Sequence, residues 1–330
     1  MFRGLKVLVA GGTGLIGIPL VRILVERGAK VRIASMDDPS RAHPDAEFIR
    51  FDLRVKENCL TACRGMDFVF NLLCAKGSPS AVAARPASII SPLLLFNTNL
   101  MDAAHECGAG GYLYTSSVGI YPAAEVFRED DALNAVSNDR FAGGAKKMGE
   151  LLAEAYRIEH GWKNVTIVRP SNVYGPYDNF DSENAMVVPS LIRRAVDGQN
   201  PFAVWGDGSP ERDFIHSDDV ARGILLAVEK APGATLNLGA GYGVSIRRLV
   251  EVVLSQAGFK PSIVWDASKL SGDRKRIMDI SRARAIGFEP AITLERGIME
   301  TMQWYRQHRV ETGKRYDIFD SQATVRSTPS

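Results

Sequence analysis

The sequence predicts an α/β fold: a Rossmann-type doubly wound parallel sheet with a smaller C-terminal substrate-binding α/β domain. Three observations predict it. Strand-like apolar runs alternate with helix-patterned segments through the first half of the chain, the signature of βαβ units. Those runs are nearly continuous in Val, Ile and Leu, as strands covered on both faces must be. After about Tyr174, loops rich in Gly, Pro, Asp and Asn (GPYDNFDSEN, WGDGSPERDF) separate shorter helices.

The elements follow in order. KVLVAGG is a buried strand ending in glycines, and GLIGIPLVRILVERG has helical apolar spacing (Leu15, Ile18, Val21, Leu24, Val25) closed by Gly28. KVRIAS, DFVFNLL, GYLYTSS and VTIVRPSNVYG read as further strands, and VPSLIRRAVDG and SIRRLVEVVLSQAG as later helices. In the helix around RFAGGAKKMGE, Phe141, Ala145, Met148, Leu152, Ala155 and Ile158 form an apolar stripe ending at Gly161, with Gly143 and Gly144 weakening it. FIHSDDVARGILLAVEK returns to the first domain. The boundaries expected are 1–173 plus about 213–240 for the nucleotide-binding domain, 174–212 and 241–312 for the second, and a polar, partly disordered tail over 313–330.

With 330 residues the chain builds a sizeable core. A net charge of +2 gives no broad attraction to nucleic acid or anionic membrane. No stretch is long and apolar enough for a bilayer, and the Gly-broken N-terminus is unlike a signal peptide, so a cytoplasmic protein is expected. Cys59, Cys63, Cys74 and Cys107 lack zinc-type spacing; they read as buried free thiols, and no metal site is expected.

VLVAGGTGLIG places Gly11, Gly14 and Gly17 between a strand and a helix. Gly11 permits the tight turn, Gly14 lets backbone approach a pyrophosphate, and Gly17 lets helix pack on strand, with the helix N-terminus aimed at phosphate. An acidic residue at the end of the second strand binds the ribose hydroxyls of NAD. Here Ser35 stands there, followed by Asp37 and Asp38. Either Asp37 takes that task for NAD, or Ser35 and Arg41 admit the extra phosphate of NADP; the leaning is to NAD. Asp52 in IRFDL follows a third strand, placed either to touch the adenine or as a solvated loop carboxylate.

Together these motifs resemble the extended short-chain dehydrogenase/reductase family, the nucleotide-sugar epimerases and dehydratases, from about Lys6 to Arg306. GGTGLIG resembles its glycine signature, which implies cofactor contacts from Thr13, Leu15 and Ile16, with Leu53 beside Asp52. NLLCAKG sits in the place of the strand end beside the cofactor (Leu72, Leu73, Cys74). YTSSVGIYP is similar to the serine-bearing strand, with Ser117 as the catalytic hydroxyl, and AKKMGE to the lysine helix, with Lys146 on the cofactor ribose. RPSNVYGPYDNF resembles the strand between cofactor and sugar nucleotide (Pro170, Asn172, Val173). WGDGSPERDFIHSDDVARG resembles the segment whose arginine, here Arg212, grips the substrate diphosphate, and DRKRIMDISRARAIGFEP offers Arg276 as a second phosphate contact. The loop GPYDNFDSENAMVVPSLIRR, with Val188 toward the substrate, leans to the GDP-sugar, GDP-L-fucose synthase-like branch. The resemblance also implies a homodimer through helices of the first domain.

The departures are as informative. Gly119 and Met186 stand where that branch carries its two epimerisation residues, and neither exchanges a proton, which disfavours fucose-type double epimerisation. Val118 and Gly119 replace the acidic pair of sugar 4,6-dehydratases. Four residues before Lys146, on the same helix face, the family's proton-carrying tyrosine is replaced by Ala142. Tyr121, Tyr174 and Tyr177 are the alternative hydroxyls, with Tyr121 favoured; Asp178, Asp181 and Glu183 read as solvated loop carboxylates. Two functions stay open: an NAD(P)-dependent enzyme acting on a nucleotide sugar through a keto intermediate at C4 with a non-standard proton relay, or a catalytically impaired binder serving as a regulatory or partner subunit.

Overall fold

The computed structural model describes residues 1–75, 79–132, 134–269, 273–309 and 316. In chain order it begins with β1 (Lys6–Ala10), α1 (Gly17–Glu26), β2 (Lys30–Ser35), β3 (Glu47–Arg50), α2 (Lys56–Cys63), β4 (Phe68–Asn71), α3 (Pro79–Ala84), α4 (Ala87–Glu106) and β5 (Gly111–Thr115). Next come β6 (Val126–Phe127), α5 (Ala142–His160), β7 (Val165–Pro170), β8 (Asn172–Tyr174), α6 (Val187–Val196), β9 (Phe202–Trp205), β10 (Glu211–Arg212) and β11 (Phe214–His216). The rest comprises α7 (Ser217–Lys230), β12 (Thr235–Leu238), β13 (Val244–Ser245), α8 (Ile246–Ser255), β14 (Ile263–Asp266), β15 (Lys275–Met278), α9 (Ser281–Ala285) and α10 (Leu294–His308).

Seven strands form one parallel sheet in the order β12-β7-β5-β4-β1-β2-β3. The order reverses between β1 and β4, and the crevice beyond the strand ends at such a reversal is where this architecture binds ligands. Successive β1 side chains go to opposite faces: Val7 and Val9 join a cluster with α1 and α7, while Leu8 and Ala10 join one with α2, α4 and α5. Both faces are thus buried, as the runs of β-branched residues require. Helix α7 does return to this unit, packing on α1 with ion pairs Arg22–Asp218 at 3.3 Å and Arg27–Glu229 at 2.9 Å.

The segment VTIVRPSNVYG is two strands rather than one. β7 belongs to the large sheet, whereas β8 pairs with β11 in register Phe214↔Asn172. The break falls at Ser171, whose hydroxyl donates to Asp213 Oδ1 at 2.9 Å. A third apolar cluster gathers Tyr174, Phe180 and Phe214 with the inner faces of α6, α8 and α10. The polar tail expected over 313–330 lies outside the described residues apart from Tyr316. Two of the four free cysteines, Cys59 and Cys63, are buried as expected; Cys74 is exposed and Cys107 half-buried, which corrects the reading of all four as interior thiols.

Helix α5 departs from its apolar stripe. Its buried face is Gly143, Ala145, Lys146, Gly149, Glu150 and Ala153, while Met148 and Ile158 are 53% and 78% exposed. Close approach decides this face, not hydrophobicity. A Cβ on Gly149 would lie 2.3 Å from the Tyr114 hydroxyl, and one on Gly143 would lie 2.1 Å from the Gly119 carbonyl oxygen. Gly144, by contrast, faces open space. Gly143→Ala is therefore expected to destabilise the fold by about 1–3 kcal/mol through overpacking, and Gly144→Ala to stabilise it by up to about 1 kcal/mol. Thermal midpoints of the two variants moving in opposite directions check this.

Candidate functional site

At the β1–α1 turn, Gly11 has φ +80, a conformation glycine adopts without strain. A Cβ on Gly17 would stand 2.2 Å from the Gly11 carbonyl oxygen, and one on Gly14 would stand 3.2 Å from the same atom. Only glycine lets α1 begin this close to β1, and the residues present therefore fit a dinucleotide pyrophosphate at the helix N-terminus. Leu15 is buried and Ile16 partly buried against the sheet. Thr13 ties the turn to the next strand: its hydroxyl lies 2.6 Å from Ser35 Oγ and donates to Asp37 Oδ2 at 2.7 Å.

Asp37 is thereby held at the end of β2, where ribose recognition is expected, with Arg41 Nε 3.9 Å away. Arg41 also donates to the Thr13 carbonyl at 3.3 Å. Both candidates for reading the ribose therefore sit at one spot. Asp52 is bonded to Arg54 (Nη2 to Oδ2 at 2.6 Å) and is buried, not a solvated loop carboxylate. The hydrogen bonds that the Arg54 guanidinium donates to Asp52 hold it more firmly protonated than usual, against the cost of its own burial. Leu53 is a core side chain. From the far end of the chain, Tyr316 donates its backbone N–H to Asp37 Oδ1 at 2.7 Å, a contact between the terminus and the ribose position that sequence alone gave no means of finding.

Lys146 emerges from α5 almost fully buried and donates to the carbonyls of Leu73 at 2.8 Å and Thr115 at 2.7 Å. Its ammonium thus bridges the segments leaving β4 and β5, and Leu72 and Leu73 lie beside the glycine turn, where a Cβ on Gly11 would come within 3.4 Å of the Leu72 carbonyl. The Tyr114 hydroxyl donates to the Lys146 carbonyl at 3.1 Å and locks that turn of helix. Ser117, half-buried, accepts the Gly119 N–H at 3.1 Å. Pro170 ends β7, and Asn172 donates from Nδ2 to the Asp213 carbonyl at 2.8 Å, with Val173 beside it in β8.

In a second sheet β10 and β15 run parallel and place Arg212 opposite Arg276. Burial and the neighbouring Arg276 charge push the Arg212 pKa down. Asp273 spans the two: its carbonyl accepts from Arg212 Nη1 at 2.7 Å, and its carboxylate accepts from Arg276 Nε at 2.5 Å. Two guanidinium groups in register suit a bridging anion with several oxygens.

Four expectations are corrected. Tyr121 has no exposed surface; its hydroxyl donates to Asn237 Oδ1 at 2.5 Å and accepts from Arg169 Nη1 at 2.9 Å, so it is a structural tyrosine and no proton carrier. Burial pushes its pKa up to about 12. Tyr174 is interior too, its hydroxyl against Gly297. Val188 is buried in the third apolar cluster because α6 turns its apolar face inward. Asp178 is buried, not solvated. Tyr177 does lie in the loop, at φ 71, its ring 5.0 Å from Trp304. The exposed Cys74 is adjacent to the Leu73 carbonyl that Lys146 holds.

A glycine cradle, an acid at the second strand end and a lysine pinned beside a serine define an NAD-binding protein of the short-chain dehydrogenase/reductase class. Residues 7–239 match the model of the NAD dependent epimerase/dehydratase family. The chain belongs to that family. It is 33% identical over 323 residues to a probable GDP-L-fucose synthase 1 of Oryza sativa subsp. japonica, covering 94% of this chain and 95% of the relative. The GDP-L-fucose synthase of Escherichia coli (strain K12) is 30% identical, with 92% and 97% covered. A Streptomyces dTDP-4-dehydro-6-deoxy-D-allose reductase is 32% identical, with 93% and 98% covered. Among solved structures, a Thermotoga maritima UDP-glucose 4-epimerase with UDP-glucose superposes with a TM-score of 0.83 at 27% identity, covering 92% of this chain and 99% of that one. The family is enzymatic and NAD-dependent, and no described helix is long and apolar enough to cross a membrane.

The interior role of Tyr121 is open to test. Tyr121→Phe is expected to lower stability by about 1–3 kcal/mol, because Asn237 and Arg169 each lose a buried partner, and to leave turnover at neutral pH essentially unchanged. Denaturant melts and steady-state rates on one preparation check both halves.

Proposed function

We propose that this protein moves hydride between a nicotinamide cofactor and a nucleotide-activated sugar, through a keto group at C4. The observation that carries the reading is the Arg212–Arg276 pair in register on β10 and β15, in a chain that also carries the glycine cradle and the buried Lys146. It offers a diphosphate grip in addition to a dinucleotide grip, in a chain similar along its whole length to sugar-nucleotide enzymes. A bound nicotinamide supplies or accepts the hydride. Lys146 holds the cofactor ribose from between two strand ends, Ser117 orients the sugar oxygen, and Arg212 and Arg276 neutralise the diphosphate. The base is most compatible with a GDP-sugar, since six relatives aligned along most of the chain are named for GDP-L-fucose synthesis.

Gly119 and Met186 leave no side-chain proton donor at the two epimerisation positions, which favours simple reduction or oxidation at C4 over double epimerisation. The Streptomyces reductase, aligned over the same length, is named for chemistry of that simpler kind. Asp37 close to the ribose position favours NAD, since a 2′-phosphate there meets a like charge, and Arg41 alone offers compensation. A second reading, a sugar-nucleotide binder without turnover, is favoured by Ala142, which carries no exchangeable proton.

Purified protein incubated with oxidised or reduced cofactor and GDP-, UDP-, CDP- and dTDP-sugars or their 4-keto forms separates these readings by nicotinamide absorbance. A change with one nucleotide class is the expected result. Tight binding with no absorbance change or product leaves the binder. Arg212→Ala is expected to weaken sugar-nucleotide binding by about 1.5–3 kcal/mol, the range for hydrogen bonds to charged groups, while dinucleotide affinity measured by calorimetry holds.

A homodimer is part of the same proposal. Leu95 of α4 and Met148, Leu151 and Ile158 of α5 are all exposed apolar side chains on two helices packed side by side, and such a patch marks an interaction surface. Leu151→Glu is expected to halve the mass measured by light scattering.

A further inference from the structure

Ala142 carries no hydroxyl, and Tyr121 and Tyr174 are committed to the interior, yet hydride transfer to or from a sugar carbon needs a proton moved at the attached oxygen. Asp139 stands one helical turn before Ala142. It is anchored twice: its Oδ1 accepts the Ala142 N–H at 3.1 Å, and its backbone N–H donates to the Gly119 carbonyl at 3.2 Å. Its second oxygen lies toward Gly119. A Cβ built on Gly119 would lie 3.5 Å from Asp139 Oδ2 and 3.5 Å from Ser117 Oγ. Glycine at 119 therefore leaves open the space on which this carboxylate and the serine hydroxyl converge. Asp139 is half-buried. Its Oδ2 makes no hydrogen bond among the described residues. That is the disposition of a group that meets a ligand oxygen.

Resting on the hydride-transfer reading above, we propose that Asp139 is the proton carrier of this site. In the reducing direction, the hydride of the reduced nicotinamide forms the new C–H bond at the sugar carbonyl carbon. The C=O π pair takes a proton from the Asp139 carboxyl to become the hydroxyl, and water reprotonates the carboxylate. In the oxidising direction Asp139 accepts the hydroxyl proton as the hydride leaves. Ser117 donates to the same sugar oxygen and fixes it between the two groups. A carboxylate in this position is held by the first turn of α5, as a side chain on the helix itself would be, so it is ordered at the reacting oxygen without a partner at position 142.

Asparagine preserves the cap to the Ala142 N–H and removes the proton, which separates a chemical role from a structural one. In Asp139→Asn, kcat is expected to fall by about 10²- to 10⁴-fold, with KM, cofactor affinity by nicotinamide fluorescence and thermal midpoint unchanged. Formate added to Asp139→Ala restores part of the rate, and adding Ala142→Tyr to Asp139→Asn recovers turnover through a tyrosine hydroxyl. An active wild type with an equally active Asp139→Asn overturns the role of Asp139 and leaves hydride transfer standing. A loss that neither formate in Asp139→Ala nor Ala142→Tyr in Asp139→Asn relieves overturns it as well. A wild type that binds sugar nucleotide but transfers no hydride to any of them overturns the parent reading and this one with it.

Discussion

The buried ion pair between Arg169 of β7 and Glu150 of α5 is the interaction on which the site depends. The contact is bidentate, with Nε to Oε1 at 3.0 Å and Nη2 to Oε2 at 2.6 Å, and both side chains are almost completely enclosed. Burial alone would lower the arginine's pKa; the Glu150 carboxylate and the Tyr121 hydroxyl outweigh it and hold the charge in place. Nη1 continues to the Tyr121 hydroxyl and to the Glu129 carbonyl at 2.7 Å. Asn237 of β12 closes the network by accepting from Tyr121 and donating to the Phe127 and Asp279 carbonyls at 3.0 Å. One guanidinium thus joins the helix that carries Lys146, the strand that ends at Pro170 and the segment that follows Ser117. Removing Glu150 would strand a buried charge, at a cost of about 3–5 kcal/mol, and would free the helix from the sheet at the point where the chemistry needs it fixed.

That network explains how α5 keeps its place with alanine at position 142. The helix is positioned by contacts below the active face: Glu150 on Arg169, Gly149 on the Tyr114 ring, Lys146 on two carbonyls, Gly143 on the Gly119 carbonyl. None of them involves the side chain at 142. The scaffold for binding and the carrier of the proton are separable in this architecture. A change at 142 therefore leaves those contacts in place.

Much of the architecture was legible in the sequence, and the limits have physical causes. The parallel strands and the glycine turn were readable because burial on both faces and close backbone approach each leave a local residue pattern. Lys146 was singled out by the resemblance of AKKMGE to the family's lysine helix, and the structure places it on α5, buried and bonded to two carbonyls. The face of α5 was not readable, because apolar counting misses a helix that buries Gly, Lys and Glu through close packing and ionic pairing. Tyr121 was misassigned because it lies past a strand end, where alternation no longer fixes side-chain direction; only the fold shows that it turns toward Asn237, 116 positions along the chain. The register of Arg212 with Arg276 and the burial of Asp178 likewise depend on long-range pairing that leaves no local trace.

The two grips differ in kind, and the difference follows from what each must recognise. The dinucleotide side is made of backbone: a turn in which a Cβ at Gly17 has no room and a helix start that presents amides. A pyrophosphate common to every cofactor of this class is met by geometry that tolerates almost no substitution. The arginine pair is made of long side chains on two short strands, Arg212 and Arg276, steadied by Asp273 and, through it, by Asn138 at 2.7 Å. Guanidinium forks at the ends of flexible stems adjust to a phosphate carried by different bases and sugars. A family can therefore keep its cradle while changing substrate. In this chain the same division runs through α5: Lys146 is held by two backbone carbonyls, whereas none of those anchoring contacts constrains the side chain at position 142.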